Sequence, residues 1–249
     1  MSGHSKWSTI KHRKAAIDSK RAKIFTKLIR EITVAAKMGG GDMDANSRLR
    51  LAIAVARGQN MPNDTIQRAI AKGTGAGDTA NYEQVIYEGY GPNNVAVVIE
   101  ALTDNRNRTA STIRTAFGKN GGSMGATNSV QYMFARKGTF RLEKSAGDED
   151  TLTEWVLDAG ADDLEDEGDA WFITCSLAAF DKVRTYLEGK GAKILSGELQ
   201  RIPQTLVKLT DKEQATKVLA FLEALEDDDD VQKVFSNADL DERLMGELA

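Results

Sequence analysis

The apolar residues of this chain keep one spacing up to about Gly73 and a different one after Asp78, and no single layer of structure accommodates both. Over Lys20–Lys37 the spacing is helical. At 100° per residue, Ile24, Phe25, Leu28, Ile29 and Ile32 fall in one arc, with Lys20, Lys23, Lys27, Arg30 and Lys37 opposite them. Arg21 and Val34 break this pattern. Gly39-Gly40-Gly41 predicts the end of that helix. Ser47 is the expected cap of a second, running through Leu49, Ala52, Ile53 and Ala56 to Gly58. Pro62, Asn63 and Asp64 open a third, with Ile66 and Ile70 inward, ending at Gly73. Three helices with small apolar faces predict a compact bundle, and GTGAGD at Gly73–Asp78 reads as a linker.

Beyond the linker, strand and helix signals alternate. Strands are expected at Val95–Leu102, Ser129–Phe134, Thr139–Leu142, Ala170–Cys175, Ala192–Leu199, Thr205–Leu209 and Asp230–Phe235. Helices are expected at Asn105–Gly118, Glu149–Ala159, Ala178–Leu187 and Asp211–Leu225, with a glycine-rich loop at Gly121–Gly125. Short connections between such units predict α+β sandwiches of the split βαβ type.

Charge follows the same division. Residues 1–72 carry 15 Lys/Arg against 5 Asp/Glu, residues 73–141 carry 7 against 5, and residues 142–249 carry 11 against 27, within a net charge of −4. The first thirty residues hold nine basic side chains and one acidic. Met1–Ser19 has too few apolar residues to bury much surface, so a mobile basic arm is expected there. A basic arm on an acidic body can attract phosphate at one end and repel it at the other. The single cysteine, Cys175, sits in an apolar run and fits a reducing compartment. No apolar stretch approaches the roughly 20 residues of a membrane span. A soluble, cytoplasmic protein is expected.

Catalytic signatures are scarce. The two histidines, His4 and His12, lack the spacing of metal ligands. There is no Walker A pattern, HExxH or GxSxG. The acidic runs Asp162–Asp169 and Glu226–Asp230 read as solvated turns before they read as cation sites. More informative is Thr103–Thr109 (TDNRNRT), which follows a strand and opens a helix. A helix N-terminus with Arg106 and Arg108 is suited to phosphate, with Asp104 and Asn105 serving the cap.

These segments together resemble the YebC family. The likeness rests on GHSKW at Gly3–Trp7, IKHRK at Ile10–Lys14, DSKRAKIFTKLIREI at Asp18–Ile32, EGYGP at Glu88–Pro92, TDNRNRT, GG-x-MG with SVQYMF between Gly121 and Phe134, and DDVQKVFSN at Asp229–Asn237. In the loop this chain has Met124 where the family usually has leucine, and Asn128-Ser129-Val130 where it usually has Gly-Ser-Val. The resemblance implies an α+β fold in which an N-terminal helical bundle is followed by two ferredoxin-like α/β domains, one inserted in the other. The expected boundaries are a basic arm over 1–19, a helical domain over 20–78, a middle domain from 79–136 plus 203–249, and an inserted domain over 137–202. It implies a DNA-binding transcriptional regulator, with a ribosome-associated translation factor as the alternative.

The expectation is therefore a non-enzymatic, monomeric nucleic-acid binder with no cofactor, metal or small-molecule substrate. Its contacts would be His4, Lys6, Trp7, Lys11, Arg13, Lys14, Lys20, Arg21, Lys23, Lys27, Arg106 and Arg108, with Trp7 and His4 stacking on bases. Two readings from other classes are a nucleotide- or metal-dependent enzyme using the glycine loop with Thr103–Arg108, and a protein-interaction module using the acidic half.

Overall fold

A computed structural model describes residues 18–75, 81–240 and Leu244. Three helices open it: α1 at Asp18–Gly39, α2 at Ser47–Gly58 and α3 at Asn63–Thr74. Their shared core is Ile32, Leu49, Ala52, Ile53, Ala56 and Ile66. The cap of α2 is Asn46 rather than Ser47. Its Oδ1 accepts from Leu49 N at 3.0 Å, while its amide donates to Ala35 O and Gly40 O. An amide side chain can satisfy both helix ends at once, which a serine cannot. Val34 was out of phase with the apolar arc, yet Ile32 through Ala36 are all buried. That half of α1 is enclosed by neighbours on every side, so no polar face is needed. Helix α3 crosses α1 closely: a Cβ on Gly73 would lie 2.3 Å from Thr33 O. Only glycine permits that approach.

The second body is a sheet of order β3-β1-β2-β9, formed by Glu83–Tyr90 (β1), Ala96–Thr103 (β2), Ser123–Met124 (β3) and Val231–Ser236 (β9). All of its pairs are antiparallel. Helices α4 (Arg106–Lys119) and α7 (Lys212–Glu226) supply Ile113, Phe117, Val218, Phe221 and Leu222 to its core. A parallel pair, β8 (Val207–Leu209) with β10 (Ala238–Leu240), flanks it.

Between β3 and β8 the chain builds a separate sheet. Its elements run β4 (Phe134–Glu143), α5 (Glu149–Ala159), β5 (Asp163–Asp166), β6 (Ala170–Cys175), α6 (Phe180–Gly189) and β7 (Ile194–Pro203). The order β5-β6-β4-β7, with every neighbouring pair antiparallel, is the ferredoxin-like arrangement. Its own core holds Phe140, Leu142, Leu152, Trp171, Ile173, Cys175, Phe180 and Val183.

One expected strand is absent, and strands β1, β3, β5 and β10 form where none was expected. Ser129–Phe134 is a turn: Asn128 adopts φ 65°, and Gln131–Met133 form a 3₁₀ turn before β4 begins. The apolar residues Val130 and Phe134 are buried, but as anchors of a loop. Strand β1 was missed altogether, because its sequence EQVIYEGY carries two glutamates and a glycine. The acidic run Asp162–Asp169 is paired, rather than simply solvated, with the cations of β4 and the turn after it: Lys137 with Asp162, Arg141 with Glu167 and Asp169, and Lys144 with Asp166. No helix among the described residues is long and apolar enough to cross a membrane.

Candidate nucleic-acid interface

The basic face of α1 is turned inward, against the C-terminal end of α7. Lys23 Nζ lies 2.9 Å from Asp227 Oδ1 and Lys27 Nζ donates to Glu226 O at 2.6 Å. Arg30 Nη1 donates to Asp230 Oδ1 at 2.9 Å and to the carbonyls of Asp229 and Leu102. Its guanidinium also sits over the Tyr82 ring, 5.1 Å from the centroid. The acidic run Glu226–Asp230, expected as a solvated turn, is therefore the seat of the first helix. A helix end presents unpaired carbonyls and a partial negative charge, which suits lysine and arginine.

Asp230 joins three regions. It is 5% exposed, and its second oxygen accepts from Arg108 Nη2 at 2.7 Å, Thr109 Oγ1 at 2.6 Å and Thr103 Oγ1 at 3.2 Å. Its backbone carbonyl accepts from Leu102 N. Burial alone would raise its carboxyl pKa. The hydrogen bonds from Thr109 and Arg108, with the charges of Arg108 and Arg30, outweigh that and hold it below the usual range. Asn105 caps α4 by accepting from Arg108 N at 3.1 Å, as the sequence led us to expect. The TDNRNRT segment thus spends Thr103, Arg108 and Thr109 on Asp230. Arg106 is 63% exposed, with Glu83 at 3.7 Å.

A second buried carboxylate sets the glycine loop. Glu88, 2% exposed, accepts from Asn128 N, Val130 N, Gln131 N and Gln131 Nε2 at 2.6–3.0 Å. Burial pushes its carboxyl up, and the bonds from Val130, Asn128 and Gln131 outweigh it and hold the group low. Gly125 N donates to Glu88 O, and Ser123–Met124 pair with Gly89–Tyr90. A Cβ on Gly122 would lie 2.7 Å from Tyr90 O. The glycines here admit backbone against backbone, so the loop's room is filled by protein. Asn128 takes the left-handed conformation, and after glycine asparagine is the residue that tolerates it best.

Among the expected contacts, His4, Lys6, Trp7, Lys11, Arg13 and Lys14 lie outside the described residues. Lys20 and Arg21 stand in the first turns of α1. Lys23, Lys27 and Arg108 are gathered around the 226–230 segment, and Arg106 stands exposed on α4 beside Glu83. Sequence reasoning passed over Arg30, Asp230 and Glu88 as organisers. Asp230 and Glu88 lie inside motifs that carry the resemblance, but spacing along the chain carries no sign of Asp230's contact with Arg30 200 residues away or of Glu88's with the turn 40–43 residues on. Cys175 is buried, and burial pushes its thiol up to about 11, the reverse of an activated nucleophile. Among the described residues no group of His, Cys, Asp and Glu could hold a metal ion.

Comparison with known proteins bears on the whole chain. A family model described as the TACO1/YebC protein N-terminal domain matches residues 5–76, and one described as the TACO1/YebC second and third domain matches residues 82–238. A relative from Desulforapulum autotrophicum, named a "Probable transcriptional regulatory protein", is 54% identical over 96% of this chain and 97% of its own. One from Koribacter versatilis with the same description is 52% identical over the full length of both. The crystal structure of a conserved hypothetical protein from Aquifex aeolicus superposes with a TM-score of 0.85 at 42% identity, covering 96% of this chain and 98% of that one.

Proposed function

The chain belongs to the TACO1/YebC family, and from that membership we propose that it is a non-enzymatic, DNA-binding regulator of transcription that grips phosphate through its basic N-terminal segment. The observation that carries this reading is the charge of the first thirty residues, nine cations to one acid, in a chain that is otherwise acidic. The described part of that segment is anchored: Lys23, Lys27 and Arg30 fix α1 to the end of α7. Lys6, Lys11, Arg13, Lys14, Lys20 and Arg21 precede this anchor, and Arg106 stands exposed on α4. Lys23, Lys27 and Arg108 reach a phosphate only by exchanging a present partner for it. The names of the relatives support regulation of gene expression.

If about five cations engage duplex DNA, log K against log salt has a slope of roughly −4 to −5. A slope near zero sinks the electrostatic reading. The second reading is a translation factor bound to ribosomal RNA. It is favoured by the 27 acidic residues of 142–249, which repel the flanks of a long duplex and suit an arm reaching into a cleft. Sedimentation with ribosomes, with and without residues 1–21, separates the two. Arm-dependent cosedimentation supports translation. Sequence-selective duplex binding at physiological salt, with no ribosome association, supports transcription.

A further inference from the structure

The helical layer, the first sheet and the inserted sheet meet around one cavity of about 830 Å³. It is walled by α1 and α2, by β2 and β9 with the end of α7, and by β7 with the turn before α6. Spaces of this size hold small ligands. Ile24, Leu28, Leu51 and Val55 line it from the helical layer, and Leu177 and Phe180 from the inserted domain. Its ionic lining is shared evenly, one acid and one cation from each body. Glu31 pairs with Arg48 at 2.7 Å, Glu100 with Arg201 at 2.9 Å and Glu198 with Lys233 at 2.7 Å. Burial works against the Lys233 ammonium, but the charges of Glu198, Glu100 and Glu31 outweigh it and raise its pKa.

Two further lining groups are not matched in this way. Arg136 of β4 stands directly opposite Arg201 in the β4–β7 register, so the two side chains share one face. Glu100 answers Arg201, whereas Arg136 has no ion-pair or hydrogen-bond partner among the described residues. Like charges so opposed repel, and an anion beside them relieves the repulsion. Gln232 is the extra residue of a bulge in β9, since Glu100 pairs with Lys233 and Ala101 with Val231. A bulge re-aims a side chain. Gln232 lines the cavity, and its Nε2 is buried with no hydrogen-bond partner among the described residues. A buried donor calls for an acceptor. The two groups are linked through contacts: Arg136 lies across from Arg201, Arg201 holds Glu100, and Glu100 lies across from Lys233, next to Gln232. Gln59, Gln84 and Gln200 line the same space. Amides offer donor and acceptor together, which matches the edge of a nucleobase and is wasted on a hydrocarbon chain. Seven carboxylates and six cations stand among the described lining residues, so a ligand with one phosphate is favoured over one with three.

We propose that this cavity binds a nucleoside monophosphate, with its phosphate on Arg136, its base edge on Gln232 and its ring against the leucines and Phe180. It is a small-molecule site, separate from the N-terminal segment that grips nucleic acid. The test is isothermal titration calorimetry of the full-length protein with AMP, GMP, ATP, inorganic phosphate and decanoate. AMP or GMP binds at one site per chain, about tenfold or more tighter than ATP, phosphate or decanoate. Arg136→Gln and Gln232→Leu each weaken that binding about tenfold. Leu177→Trp, which fills the space from a position already 38% exposed, abolishes it. Arg136 is exposed and the Gln232 amide nitrogen has no bond to lose, so unchanged thermal melting confirms that these variants fold. Removal of residues 1–21 leaves AMP and GMP binding within about twofold, because the lining begins at Lys23. The proposal is overturned if neither mononucleotide binds more tightly than about 1 mM. It is overturned equally if ATP or decanoate binds as tightly, or if binding survives Leu177→Trp and is lost with residues 1–21.

Discussion

Two buried carboxylates organise this molecule, and they differ in what they gather. Asp230 collects charged and hydroxyl groups from elements far apart in the chain: Arg30 of α1, and Thr103, Arg108 and Thr109 at the start of α4. Glu88 collects amides, three of them backbone N–H groups within four residues of one another. The first fixes how the helical layer sits on the sheet. The second fixes the shape of one loop. Side-chain cations reach across a gap and suit the joining of separate bodies, whereas backbone amides are short and suit the moulding of a turn.

The comparison breaks most visibly at Asp230. Asp230→Ala takes one acceptor each from Arg30, Arg108, Thr103 and Thr109, and breaking such a buried pair costs about 3–5 kcal/mol. The loss is expected in urea denaturation, and it should be accompanied by faster hydrogen exchange in the amides of α1, which Arg30 ties to Asp230. Glu88→Ala removes the acceptor of several buried donors at once and costs about 2–3 kcal/mol. Its signature is local: the amides of Asn128, Val130 and Gln131 exchange hydrogen faster, while α1 does not loosen.

Acid sharpens the likeness between the two. Both groups are held below their ordinary values of 3.8 and 4.5, so the native state binds fewer protons than the unfolded one as those values are approached. Their stabilisation is complete above the unfolded pKa and is lost as pH falls from about 4.5, for Glu88, and 3.8, for Asp230, through the lower native values. Urea midpoints measured from pH 6 to pH 2.5 should fall less steeply in either variant than in the parent. A steeper fall would mean that other carboxylates govern the acid limb.

Two smaller changes complete the ranking. Asn128→Ala places an ordinary side chain at φ 65° and costs about 1 kcal/mol, whereas Asn128→Gly puts there the residue with no Cβ to strain and keeps the melting temperature within a few degrees. Asp227→Ala removes a pair exposed at both ends, Lys23 at 46% and Asp227 at 70%. Its effect on stability stays under about 1 kcal/mol and vanishes in high salt.

Much of this architecture was legible in advance, because period and punctuation report local choices. Asp148, followed by an apolar-periodic run, marks α5 as a helix, and Ala170–Cys175 is apolar enough to declare a buried strand. Strand β1 was not legible, because Glu88 sits where an outward polar residue belongs and is in fact buried by partners 40–43 residues away. The site was legible as charge but not as contact. The lysines of α1 announce a basic face, and nothing local says that the face meets Glu226–Asp230 about 200 residues later. Val34 gave the one local hint. An apolar residue on the wrong side of an amphipathic helix is the mark of a second neighbour.

The nesting of one sheet between β3 and β8 has a consequence in time. Strand β2 finds its partner β9 only after about 140 further residues have been made, since Val97 pairs with Ser236. At the usual pace of synthesis that is a wait of roughly 10–30 s. The inserted sheet, complete by Pro203 and supplied with its own core, is finished well within that interval. The newborn chain therefore carries a folded second-born domain while the first-begun sheet still has a bare edge, and Arg30 must wait for Asp230. The order of birth and the order of completion are reversed, and residues 226–236 close both the sheet and the helical layer.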